Sequence, residues 1–73
     1  MTVTLRHILP QRIKHHRTVR NLSQAALATK AGLAPTHLSH FEAGRRVPSL
    51  HNFVQIVNAL GVSADELLFD PQR

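Results

Sequence analysis

The stretch from Leu22 to Glu42, LSQAALATKAGLAPTHLSHFE, restricts this chain more than any other. It holds two short helical patterns separated by a single glycine. Ser23 is a good N-cap, because a serine hydroxyl accepts from an amide of the first helical turn. Leu27, Ala28 and Ala31 then recur at spacings of one, three and four, the apolar stripe of a helix over 24–31. Gly32 follows, the residue type that most readily takes the left-handed conformation ending a helix. Leu33 is expected to drop into the core. Pro35 suits the first turn of the next helix, where its missing N–H has no helical partner to lose. That helix runs to Ala43 with Leu38 and Phe41 inward. Its opposite face carries Thr36, His37 and His40, hydrogen-bonding side chains where a solvated helix would show charges.

The rest of the chain follows the same grammar. Residues 2–8, TVTLRHI, roughly alternate and are rich in Thr, Val and Ile, which predicts a strand or a flexible arm over 1–8. Pro10 predicts a helix start, and that helix runs to about Arg20 with Leu9, Ile13, His16 and Arg17 inward. Gly44 ends the helix before it, and Arg45-Arg46-Val47-Pro48 forms a loop. Ser49 caps a helix over 50–60 with Leu50, Phe53, Ile56 or Val57, and Leu60 inward, and Gly61 ends it. Ser63-Ala64-Asp65-Glu66 reads as a capping box, the serine hydroxyl taking the Glu66 N–H while the glutamate reaches back. The last helix reaches about Phe69, and Pro71 stops it ahead of a tail over 71–73. Five helices on short links leave no room for a sheet. The fold class is therefore all-α, one compact domain over 9–70.

A chain of 73 residues buries only about 60% of the surface that its unfolded form exposes, so the core must be efficient. There is no cysteine, which removes disulfides and thiolate metal sites and suits a reducing compartment. No apolar run approaches the ~20 residues of a membrane span or the pattern of a signal peptide, so a cytoplasmic location is expected. Nine Lys and Arg oppose four acids. All four acids, Glu42, Asp65, Glu66 and Asp70, lie at or beyond position 42, while Arg6, Arg12, Lys14, Arg17, Arg20 and Lys30 precede it. A basic first half suggests a face that meets a polyanion.

These segments together resemble the lambda-repressor-like family, also called XRE-type, of helix-turn-helix DNA-binding proteins. The resemblance lies in L-S-Q-x-x-L-A-x-x-A-G-L at 22–33, L-S-x-F-E-x-G at 38–44 and P-S-L-x-x-F-x-x-I-V-x-A-L-G-V-S-x-D-E-L-L at 48–68. It implies a five-helix fold whose third helix lies in the major groove of DNA while the second crosses the backbone. It also implies roles. Pro35, Thr36 and His40 fall where members present base-reading side chains, with His37 adjacent. Gln24 matches a glutamine that reaches a phosphate and braces the reading helix, and Ser23 adds a hydroxyl beside the helix N-terminus. Arg45 and Arg46 fall where backbone phosphates pass. Arg17 and Glu42 match a partly buried ion pair. There are departures. Ala34-Pro35 stands where glutamine or serine is common, and proline cannot donate a hydrogen bond, so readout there must be apolar. His16 replaces a usual leucine, and Ala26 a common glutamate.

The residues point away from an enzyme. No Ser/His/Asp spacing, glycine-rich phosphate loop or catalytic carboxylate pair is present. His37 and His40 could form an i, i+3 metal pair, but no third ligand is implied, so neither a metal nor a cofactor is expected. The expected function is sequence-specific binding of double-stranded DNA by a transcriptional regulator, with repression the expected mode. A single small module makes few contacts, so a homodimer on a pseudo-palindromic operator is expected. Its interface is expected on the last helix and the end of the fourth, through Val62, Leu67, Leu68 and Phe69. The N-terminal arm, with Val3, Leu5 and Ile8, is the rival surface. An antitoxin-like module that binds a toxin or other protein is the alternative, as is the DNA-binding part of a longer regulator.

Overall fold

The computed structural model describes residues 5–68, and their regular structure is helical throughout. The elements are α1 (Leu5–Thr18), α2 (Gln24–Ala31), α3 (Pro35–Glu42), α4 (Leu50–Leu60) and α5 (Ala64–Leu68). The serine caps behave as their sequence positions require. Ser23 Oγ accepts from the Ala26 amide at 3.0 Å, and Ser49 Oγ accepts from the Asn52 amide at 3.2 Å. At Gly32 the backbone turns left-handed with φ of 72°, which lets the Leu33 amide reach back to the Ala28 carbonyl at 2.8 Å. That turn swings α3 across α2. Proline at the first position of α3 has no capping side chain before it, because position 34 is alanine.

Each helix sends one large side chain fully into the centre: Ile13, Leu27, Leu38, Ile56 and Leu67. Burying each contributes about 2 kcal/mol of hydrophobic stabilisation. Ala28 and Ala31 are also buried and let α2 lie close on α4. α1 closes the other side of the domain by packing on α3 and α5.

Several expectations give way here. Residues 5–8 are not an arm or a strand but the first turn of α1, and Pro10 sits inside that helix. α1 also ends at Thr18 rather than Arg20. Asn21 takes a left-handed φ of 58° in the following turn, and the Leu22 amide closes on the Arg17 carbonyl at 3.1 Å. Leu50, expected inward, is 79% exposed, because as the first residue of α4 it overhangs the end of the core. At the start of α5 the Glu66 amide bonds the Ser63 carbonyl at 3.1 Å, not its hydroxyl. The reciprocal half of the box is present, with Glu66 Oε2 accepting from the Ser63 amide at 2.9 Å. Val3, the Leu5 side chain, Phe69 and the tail at 71–73 lie outside the described residues.

Candidate nucleic-acid interface

α3 is held by a buried frame and turns a polar face outward. Leu38 and Phe41 anchor it in the core. With about 100° between successive residues, Thr36, Ser39, His40 and Ala43 share the opposite face. Thr36 and Ala43 are exposed, and Ser39 and His40 are half-buried. Ala34 and Pro35 form an exposed leading edge with no donor side chain. His37 is exposed on the flank beside Phe41. It lines a cleft of about 210 Å³ with Arg46, Val47, Ser49 and Asn52 between α3 and the start of α4. The arrangement separates an outward stripe from a basic cleft to one side of it. Arg45 and Arg46 are both exposed beyond α3. Ser23 is exposed at the head of α2, with Gln24 half-buried beside it.

What fixes the angle of α3 is a junction at its last residue. Glu42 accepts from Arg17 Nε at 2.7 Å and from Arg17 Nη2 at 2.9 Å. It also accepts from Gln24 Nε2 at 3.1 Å. Arg17 Nη1 donates to the Leu22 carbonyl at 2.8 Å. Side-chain exposures of 11% and 4% make this a largely buried ion pair. The fork of a guanidinium matches a carboxylate with two parallel bonds, which fixes orientation as well as charge. The hydrogen bonds to Glu42 push Arg17 further above its ordinary pKa, against the opposing effect of burial. One carboxylate thus ties α1, α2 and α3 together behind the outward stripe. It is also neutralised there, although it is the acid nearest that face. Gln24 spends one amide hydrogen on this junction and keeps its other hydrogen and its carbonyl oxygen.

The residues expected at a dimer surface separate. Leu67 is fully buried inside the domain, so its side chain is unavailable to a partner. Val62 is half-buried against the core. Leu68 is half-buried and lines an apolar cleft of about 300 Å³ with Leu9, Val47, Pro48, Leu50 and Phe53. Ser39 and Asn52 were not singled out by the sequence reading. Ser39 could have been found by stepping three residues on from Thr36. Asn52 joins His37 and Arg46 only through the packing of α3 on the α3–α4 loop, which has no local signal. Among the described residues no group of three or more His, Cys, Asp or Glu is placed to hold a metal ion. No helix among them is long and apolar enough to cross a membrane.

Comparison with known proteins agrees with this geometry. The family model described as helix-turn-helix matches residues 13–67. The chain is 34% identical over 59 residues to the cryptic phage CTXphi transcriptional repressor RstR of Vibrio cholerae, covering 81% of this chain and 53% of RstR. It is 38% identical over 69 residues to the control protein C.BamHI of Bacillus amyloliquefaciens, covering 93% of this chain and 85% of that protein. The chain therefore spans about half of one relative and most of the other. The crystal structure of the hypothetical transcription factor NHTF from Neisseria superposes with a TM-score of 0.89 at 36% identity, over 94% of this chain and 79% of that one. A match over well over half the chain, joined to the same fold, places it: the chain belongs to the XRE-type helix-turn-helix family, among relatives that are phage repressors and restriction–modification controllers.

Proposed function

We propose that the domain binds double-stranded DNA sequence-specifically and regulates transcription, most simply as a repressor acting in the cytoplasm. The observation that carries this is the outward stripe of α3. Thr36, Ser39 and His40 have no side-chain hydrogen bond within the described residues, on a helix locked from behind by Arg17, Gln24 and Glu42. Side chains held ready but unpaired are what base-edge recognition in the major groove requires. Thr36 and His40 read bases, Pro35 offers an apolar contact to a thymine methyl, and Ser39 joins them. His37 stands at the edge of this set. With Arg46 and the amides at the head of α4 it forms a seat for a backbone phosphate, and Arg45, Ser23 and Gln24 meet other phosphates. Phosphate contacts of this kind set register, and base contacts set specificity.

The domain acts as a homodimer on a pseudo-palindrome with half-sites about 34 Å apart. Val62 and Leu68, with Phe69 beyond the described residues, form the seam. The experiment is selection of binding sites from a random DNA library, followed by the His40→Ala variant on the selected site. The expected outcome is a two-fold symmetric site and a loss of about 1–3 kcal/mol confined to one base pair of each half-site. Recovery of no preferred sequence would overturn the reading.

A further inference from the structure

His16 is only 8% exposed and stands between two guanidiniums. Its Nε2 is 3.1 Å from Arg12 Nη2, and its Nδ1 is 3.3 Å from Arg20 Nη1. A neutral imidazole has one lone pair and one N–H, so it can accept from one of these donors only. Arg20 Nη1 has another anchor, the His16 carbonyl at 2.9 Å. The ring therefore serves Arg12, and Arg12 Nε in turn donates to the Glu66 carbonyl of α5 at 3.1 Å. A single guanidinium bridges the imidazole of α1 to the backbone of α5. A protonated ring has no lone pair, and it adds a third positive charge to the two already beside it.

We propose that His16 is a proton-sensitive latch: neutral, it holds Arg12 across the α1–α5 seam, and charged, it expels Arg12 and frees α5. The surrounding charges act in that direction. On α1 and the turn that follows it the ring faces Arg12, Arg20 and His15, the last lying edge-on with ring centroids 5.2 Å apart. From α5 it faces Glu66, the one acid near it, whose carboxylate is already bonded to the Ser63 amide. From α3 the acid nearest α1, Glu42, is held by Arg17. α4 carries one titratable group, His51, and it is exposed. Burial first, then Arg12, Arg20 and His15, lower the His16 pKa below 6.5, and Glu66 opposes them more weakly. The stability that the neutral ring contributes is therefore full above pH 6.5 and is lost as the pH falls below it. The latch stands on its own geometry. Only its effect on DNA binding rests on the reading of α5 as part of the dimer seam.

The test follows backbone hydrogen-exchange protection factors of α5, with α2 and α4 as internal reference, between pH 7.5 and 5.5, alongside NMR titration of the His16 ring. Protection in α5 is expected to fall at least about threefold more than in the reference helices, in step with the ring. His16→Gln keeps a carbonyl acceptor for Arg12 and does not titrate, so α5 protection in that variant should not follow pH. His15→Gln should retain the fall. If His16→Gln does not fold, the wild-type titration decides alone. A ring that charges at or above pH 6.5, or that charges without loosening α5, overturns the latch, as does a full fall in His16→Gln. Release of α5 with unchanged operator binding keeps the latch and removes α5 from the dimer seam.

Discussion

Glu42 takes three hydrogen bonds from side chains of two other helices, and little water-facing surface remains to solvate a partner left behind. Glu42→Ala strands the Arg17 guanidinium and frees Gln24. A cost of about 3 kcal/mol is expected, read as a lower urea midpoint with an unchanged slope. The leucines show how position within an element decides worth. Leu67→Ala opens a void in the core and should cost about 2–5 kcal/mol, whereas Leu50→Ala, at an exposed helix start, should change stability by less than about 0.5 kcal/mol. A helical count along the sequence puts Leu50 in line with Phe53 and Leu60, yet it cannot tell that the core stops short of it. The sequence alone puts Leu67 on a partner surface with the rest of the last helix. The closure of α5 on α1, a contact between distant parts of the chain, uses it instead.

Among the elements, α2 and α4 begin and end as the sequence reading has them, since each has a serine cap and a glycine stop whose effects are local. α1 does not. Proline marks a helix start only where its own missing N–H falls in the first turn and has no helical partner to lose. Here five residues before it are already helical, and the chain forgoes one backbone bond inside α1. α3 starts on Ala34-Pro35, so no side chain caps its first turn. Ala34→Ser is expected to add about 0.5–1 kcal/mol, seen in calorimetry as a rise in Tm of a few degrees. The face of α3 was legible because Leu38 and Phe41 set its phase. That His37 belongs to the cleft wall was not, because the loop that supplies Arg46 and Asn52's helix comes back to it only in three dimensions.

For the whole molecule the decisive quantity is charge placement. The Arg17–Glu42 pair is itself neutral, so the formal charge of +5 remains for an external anion. Binding to DNA should therefore weaken steeply with salt. Arg46→Ala should lower affinity for the operator and for random DNA alike and flatten the salt slope by about one ion, as measured by fluorescence titration between 50 and 200 mM salt. An effect confined to one base pair would contradict a phosphate role. The general helix-turn-helix design was readable from residues 22–42 since its signals are short-range. The Arg12–His16–Glu66 bridge was not, because its members lie 54 positions apart at the extremes and only packing brings them together.

The pairing of α1 with α5 also has a bearing on how the protein is made. The Ser23 cap and the Gly32 turn that shape α2 and its junction with α3 are local, and α1 and α4, on which α3 and α2 pack, are made before α5. Leu9 and Ile13 must wait for Leu67 before their side of the core is shut. A nascent chain lacking α5 thus holds a reading helix on an open core, and the emergence of α5, not the appearance of the helix-turn-helix, marks the moment at which the domain becomes stable.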